Sequence, residues 1–239
     1  MVTQLGGEAM VEAAEFRANG YGIWPELVPV NALNALRAAA DALIAEPAAA
    51  DGGNHDINRG ADRQFLHKRH ADFPAVERFL FSPFMRDVAR VALGEPHLFN
   101  EQFVVKGPRT GASFAWHQDG AYVPFEHRPY LSVWIALDDT TLENGALSIL
   151  PRDLDRQGHI DPHHWDEIGK EKVGYDGPDT GTILPCPAGT MILFSSLTLH
   201  RSGANTTDRP RRAYLAQYSD GPIIDPSTGN PRNFAKPLA

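Results

Sequence analysis

The feature that most constrains this chain is a change of period near Leu98. From there on, apolar residues arrive in short runs rich in β-branched and aromatic types: LFNEQFVVKG, ASFAWHQD, YLSVWIALDD, GALSILP, GTMILFSS, LTLHRSG and RRAYLAQYS. Gly, Pro and Asn stand between the runs, as they do between strands joined by turns. Seven such runs between residues 98 and 220 predict an all-β sandwich or barrel. Upstream the period is helical. In NALNALRAAADALIAE, Leu33, Leu36, Ala40, Leu43 and Ile44 recur on one stripe, and Pro47 stops the run. Ser82 and Pro83 read as an N-cap and first helical residue, followed by Met85, Val88 and Ala92 and a Gly94 cap. The segment 51–63, DGGNHDINRGADR, reads as a loop.

The fold expected is therefore mainly β with flanking α-helices. A helical layer over 1–97 precedes an antiparallel double-stranded β-helix, a cupin-like jelly roll, over 98–220, all in one domain spanning 1–239. The polar, Gly- and Pro-rich stretch 152–182 interrupts the strand pattern. Long irregular insertions of this kind are often lids or binding loops, so a lid-like insertion is expected there. Half of the 21 Gly and 19 Pro fall within 98–220, around the strand runs and in this insertion, which suits turns rather than disorder.

Composition narrows the function classes. A net charge of −8 argues against a general nucleic-acid binder. No run approaches the ~20 apolar residues of a membrane span, and MVTQLGGEAMVEAAEF lacks the basic and apolar regions of a secretory signal. A cytoplasmic protein with a small-molecule partner, no nucleic acid and no membrane is expected; oligomeric state is left open. One Cys excludes a disulfide framework or a thiolate metal site, so any metal held by this chain, with its ten His, meets nitrogen and oxygen.

The strongest chemical signal is Trp116-His117-Gln118-Asp119-Gly120. Residues i and i+2 of a strand share a face, so His117 and Asp119 can present an imidazole and a carboxylate to one point. His200, ending an apolar run, is the candidate third ligand. Two His and one carboxylate with open positions form the facial triad of non-haem Fe(II) oxygenases. A dicarboxylate co-substrate chelating that iron needs a cation at its far end, and Arg binds carboxylates with a planar fork. Arg211 and Arg212 follow His200 by eleven and twelve residues and point to opposite faces; alternation alone does not choose between them.

The segments HQDGAYVPF, LSVWIALDDTTLENGALSILP, PAGTMILF and LHRSGANTTDRPRRAYLAQY resemble the phytanoyl-CoA dioxygenase family of Fe(II)/2-oxoglutarate-dependent oxygenases over about 98–220. The resemblance implies a dioxygenase that hydroxylates, or otherwise oxidises a C–H bond of, a small-molecule metabolite with release of succinate and CO2. It implies His117, Asp119 and His200 as iron ligands and catalytic centre, with Fe(II), 2-oxoglutarate and O2 as cofactor and co-substrates. It implies Arg211 as the partner of the 2-oxoglutarate carboxylate, with Ser202, Gln102 and Trp134 around the co-substrate. Asp119 being a carboxylate favours hydroxylation over halogenation. Tyr122 and Phe125, just after the metal strand, are candidate substrate contacts; with Tyr130 they read in part as core aromatics and in part as walls of a substrate pocket. The competing reading is a non-catalytic or zinc-bound jelly roll that binds a metabolite, since the same three ligands accept Zn²⁺.

Other clusters carry weaker signals. His159, His163 and His164 read as a solvated or substrate-facing segment. His67 and His70 read as surface residues, Lys106 and Arg109 as solvated cations ahead of a role in binding an anionic substrate, and Cys186 as a buried or edge residue. His55 and Asp56 lie in a loop that can reach the substrate.

Overall fold

The computed structural model describes residues 13–46 and 62–238; His55 and Asp56 lie outside the described residues. Residues 13–19 are helical. The elements that follow are β1 (Tyr21–Trp24), α1 (Val30–Ala45), β2 (Arg63–His67), α2 (Pro74–Leu80), α3 (Pro83–Ala89), β3 (Pro96–Lys106), β4 (Phe114–His117), β5 (Leu131–Ala136), β6 (Leu147–Ile149), β7 (His164–Asp166), β8 (Glu171–Val173), β9 (Thr182–Leu184), β10 (Met191–Ser195), β11 (His200–Ser202), β12 (Arg211–Asp220) and β13 (Lys236–Pro237).

Among the described residues, seven strands build the larger sheet in the order β1-β10-β5-β12-β3-β13, with β2 also paired to β3. A four-stranded sheet, β4-β11-β6-β9, faces it. Every pairing is antiparallel, which gives the expected double-stranded β-helix. The larger sheet is buried on both faces. Its outer face, with Phe103, Val133, Ile135, Leu193, Tyr214 and Tyr218, packs on the helices. Its inner face, with Trp134, Ala136, Ile192, Phe194, Ala213 and Leu215, meets Leu147, Ile149 and Leu184 of the smaller sheet. Two-sided burial explains why these strands read as near-continuous apolar runs.

The helices obey their local rules. On α1, Leu33, Leu36, Ala40 and Leu43 are buried, each Leu contributing ~2 kcal/mol by removal from water. Ile44, at the stripe's edge, stays 38% exposed. Glu46 is extended (ψ 140°), as the residue before a proline prefers, and the helix ends there. On α3, Ser82 Oγ accepts from the Met85 amide at 3.2 Å, the capping bond read from the sequence. That helix ends at Ala89, before Gly94.

The segment 1–97 is not purely helical. Tyr21–Trp24 and Arg63–His67 are strands that pair with β10 and β3. Their residues sit too close to loops to show a clear period on their own. The 152–182 insertion also has order of its own. It holds the β7–β8 hairpin, and Arg152 forks onto Asp161 at 2.6 and 3.0 Å. Among the described residues, no helix is long and apolar enough to cross a membrane.

Candidate metal centre and co-substrate pocket

His117 ends β4 and His200 begins β11, and the two are direct partners across the antiparallel register. Asp119 opens a short 3-10 turn, Asp119–Tyr122, immediately after β4. One ligand atom from each of the three lies within 4.8 Å of the others, and all three residues are buried. Asp119 Oδ1 stands 3.6 Å from Nε2 of His117 and 3.6 Å from Nε2 of His200. Among the described residues this is the one such group of His, Cys and carboxylate atoms.

Each ligand is oriented by a second partner. His117 Nδ1 bonds the Ala115 carbonyl at 2.8 Å, and His200 Nδ1 bonds the Thr198 carbonyl at 3.0 Å. A carbonyl only accepts, so each Nδ1 carries the proton and each Nε2 lone pair faces the shared centre. Asp119 Oδ2 accepts from Ser132 Oγ at 2.6 Å and from Gln217 Nε2 at 3.0 Å, which leaves Oδ1 for the centre. Asn100 in turn donates to Gln217 Oε1 at 3.0 Å. Burial alone raises the Asp119 carboxyl, but the neighbouring His200 and His117 and the Ser132 hydroxyl outweigh it and hold the group well below the usual carboxylate range. Burial, reinforced by the His117 charge, lowers His200 to about 4. Near neutral pH the centre therefore presents a carboxylate and a neutral His200 imidazole, the states that metals bind.

The triad opens into a cavity of about 620 Å³ between the two sheets. Arg211, Ser202, Gln102, Trp134 and Tyr122 all line it. Arg211, the first residue of β12, is 1% exposed. Its Nη2 donates to the Gly145 carbonyl at 3.1 Å, while Nε and Nη1 are buried without a partner. Its guanidinium carbon lies 5.7 Å from the Trp134 ring centroid. Burial lowers this guanidinium to about 10, so it stays charged near neutral pH. A buried cation with two free donors is costly unless an anion completes it. Gln102 Oε1 is likewise buried without a partner. These orphaned groups fit a small carboxylate ligand beside the triad. Arg212, on the opposite face, forks onto Asp138 at 3.0 and 2.7 Å and is unavailable to the cavity.

Several sequence expectations change. Phe125 does not line the cavity; it packs against Phe99, Val123, Tyr130 and Ile223, because the chain after the 3-10 turn folds back on β3. Tyr130 lines the cavity instead. Tyr122 does line it, and its hydroxyl accepts from the Lys172 amide at 3.0 Å. Lys106 is buried rather than solvated. Its ammonium donates to the carbonyls of Ala112 (2.8 Å), Ser202 (3.3 Å) and Gly203. Burial and the charges of Arg211 and Arg63 push it well below the usual lysine range. Arg109 is exposed and paired with Asp208. His70 is 1% exposed and bonds Glu101 through Nδ1 at 3.2 Å, and His67 lines the cavity. His163 accepts from the Gln118 amide and His159 meets Asp161, so these two histidines serve the insertion's polar contacts, while His164 is exposed on β7.

Sequence reasoning missed Ser132 and Gln217, which orient Asp119. The signal was present. Ser132 is two residues before Trp134, and Gln217 six after Arg211, so each shares the inner face of its strand.

The phytanoyl-CoA dioxygenase (PhyH) family profile matches residues 16–213. The "Probable alpha-ketoglutarate-dependent hypophosphite dioxygenase" of Stutzerimonas stutzeri is 32% identical over 158 residues, 63% of this chain and 54% of that protein. The L-proline trans-4-hydroxylase of Streptomyces griseoviridis is 31% identical over 178 residues, 64% of this chain and 66% of that protein. The chain spans about half the length of the first curated relatives it matches. The crystal structure of EvdO2 from Micromonospora carbonacea var. aurantiaca, complexed with 2-oxoglutarate, is 29% identical with a TM-score of 0.73, covering 93% of this chain and 94% of its own. With a family match across most of its length and the jelly roll of a solved relative, this chain belongs to the phytanoyl-CoA dioxygenase family.

Proposed function

We propose that this protein is an Fe(II)- and 2-oxoglutarate-dependent dioxygenase that oxidises a C–H bond of a small molecule, with His117, Asp119 and His200 as the iron ligands. The observation that carries the reading is the pairing of this triad with Arg211, a buried cation with two unsatisfied donors on the wall of the same cavity. A plain metal-binding sheet has no use for such an Arg, which weighs against the zinc-bound binding-module alternative. The similarity to a hydroxylase and to a 2-oxoglutarate complex supports the same reading.

Bound iron and 2-oxoglutarate would supply the oxidant from O2, so that the co-substrate leaves as succinate and CO2 and one oxygen atom enters the substrate. The chain's own work is positional. The Ala115 and Thr198 carbonyls fix the imidazole tautomers, and Ser132 and Gln217 fix the carboxylate rotamer. Arg211, whose guanidinium lies beside Trp134, would hold the distal carboxylate of the co-substrate, with Ser202 and Gln102 on the same cavity wall. Tyr122 and Tyr130 border the space left for substrate. The 152–182 insertion acts as a wall: Gln118, between two ligands, accepts from the Asp161 amide and donates to the His159 carbonyl.

The test is anaerobic addition of Fe(II) and then 2-oxoglutarate. A visible charge-transfer band is expected, followed by succinate release on admission of O2; His117→Ala should lose both. Iron bound without a band, or zinc retained in preference with no 2-oxoglutarate binding, would favour the binding-module reading.

A further inference from the structure

The cavity wall is far more cationic than the chain that builds it. The chain carries −8, yet among the described residues Asp119 is the one carboxylate lining the cavity, against Arg63, Lys68, Lys106, Arg201, Arg211 and Arg232. Four of these cations have assignments. Arg63 pairs with Glu171 at 2.9 Å, and Lys106 is capped by three carbonyls. Arg201 stacks over Trp116, 4.8 Å from the ring centroid. Arg211 is committed to the co-substrate.

Lys68 and Arg232 are left. Both are exposed on the cavity wall, Lys68 has the Phe234 ring at 5.9 Å, and among the described residues neither forms an ion pair; Lys68 feels the Arg232 charge. Asp225 also feels the Arg232 charge, but its Oδ1 is bonded to the Ser227 hydroxyl and amide at 2.6 and 2.8 Å. What the geometry gives is two cations on one cavity wall, neither held by a carboxylate in an ion pair, so both can turn to an anion inside the cavity.

The fold holds both in place. Lys68 follows β2 in left-handed backbone, φ 59°, a conformation that a non-glycine residue keeps only where its surroundings impose it. Glu101 imposes it. Its carbonyl accepts from the Lys68 amide at 3.1 Å, and its buried carboxylate accepts from the His70 amide at 2.9 Å. Arg232 comes from a strap formed by the last residues. Its amide bonds the Ile223 carbonyl at 2.9 Å, the Phe234 amide bonds the Phe99 carbonyl at 3.0 Å, and β13 pairs with the start of β3. Phe234 connects the two halves. Its ring lies 5.9 Å from the Lys68 ammonium and edge-on to His70 at 4.9 Å. The family match ends at residue 213, so Arg232 lies beyond the matched family core.

We propose that Lys68 and Arg232 form an oxyanion subsite on the cavity wall, and that the substrate is a small molecule whose carboxylate, phosphate or phosphonate docks there. The proposal rests on the dioxygenase reading of the triad. The cavity volume of about 620 Å³ falls in the range of small-ligand sites, and it must hold 2-oxoglutarate as well, which limits the substrate to metabolite size. An Arg fork beside a Lys ammonium offers an oxyanion both directional donors and a point charge.

The experiment uses the Fe(II)- and 2-oxoglutarate-loaded protein, held anaerobic, and calorimetric titration with matched probes. One arm pairs C2–C8 carboxylic acids with their amides; the other pairs methyl- and ethylphosphonate with their dimethyl esters. The expected result is that the acids of at least one arm bind more tightly than their neutral partners. Lys68→Gln and Arg232→Gln should each weaken that binding roughly tenfold or more, while Lys68→Arg and Arg232→Lys retain most of it. The arm that binds distinguishes carboxylate from phosphonate. Absence of acid preference in both arms, or a preference that survives in the double variant, overturns the subsite. So does binding of the anions only in competition with 2-oxoglutarate, which would place them at Arg211. Failure of 2-oxoglutarate itself to bind is a separate outcome, seen in the loading step, and refutes the dioxygenase reading on which the subsite depends.

Discussion

Gln217 reaches from β12 to donate a 3.0 Å hydrogen bond to Oδ2 of Asp119, on the side of the carboxylate that faces away from both imidazoles. The same amide donates to Ser132 Oγ at 3.1 Å, so the carboxylate rotamer is set by two side chains of the larger sheet. Gln217→Leu is expected to weaken Fe(II) binding ~10- to 100-fold, the usual cost of losing an outer partner of a metal ligand. Gln217→Glu should weaken it further, since a second carboxylate would oppose Asp119. Anaerobic metal titration checks both, and circular dichroism checks that the fold is kept.

Arg211 separates binding from stability. Arg211→Met should weaken 2-oxoglutarate binding by ~30-fold or more, because a buried charge-assisted contact is lost. It should leave Fe(II) affinity near the wild-type value. The same change removes a buried cation with two unmatched donors, so the ligand-free variant should melt higher, by roughly 2–4 °C for each ~1 kcal/mol gained. Isothermal titration and melting curves with and without 2-oxoglutarate read the two effects separately.

The insertion is tied to the sheet by charge. Arg63, fully buried on β2, pairs with Glu171 on β8 and also donates to the carbonyls of Ser113 (2.8 Å) and Gly169 (3.0 Å). Glu171→Ala removes the Glu171 charge from that buried guanidinium and frees the Ala115 amide that Glu171 also binds. A loss of ~3–5 kcal/mol is expected, read by urea denaturation. The hairpin 164–173 should become a preferred site of limited proteolysis. If the hairpin instead moves freely in the wild type, the variant will show no added cleavage there.

Gly145 takes φ +86°, and a Cβ there would strike the Gly203 carbonyl. Its own carbonyl accepts the hydrogen bond that Arg211 makes among the described residues. Gly145→Ala is expected to cost ~1–3 kcal/mol through backbone strain. It should also raise the 2-oxoglutarate Kd with little change in Fe(II) affinity. Gly203→Ala, which has more room around it, serves as the comparison.

The gathering of His117, Asp119 and His200 was legible because it needs only two rules, alternation along a strand and a third residue on a neighbour. The register His200↔His117 satisfies both. The jelly roll was legible for a related reason, since strands buried on two faces read as apolar runs bounded by turns. What escaped was pairing at a distance. Arg63 and His67 belong to a five-residue strand that follows a Gly-rich stretch of sequence, where no local period marks the strand. Lys106 looked solvated because a lysine's default is water; the three carbonyls that cap it come from residues 112, 202 and 203. Phe125 looked like a pocket residue from its place in the chain, but the direction of the loop after Tyr122 was not encoded in any nearby spacing. Arg211 could be told from Arg212 only by resemblance, and Asp138 on the opposite face supplies the physical reason.

The strap that carries Arg232 also closes an edge. β3 is paired by β12 along one side, while its other side is shared by β2 over residues 102–106 and β13 over 97–98. A long strand with that side bare would offer unpaired amides and carbonyls as a template for another chain. Trimming the strap should therefore do more than open the cavity mouth: it should make the protein prone to edge-to-edge self-association.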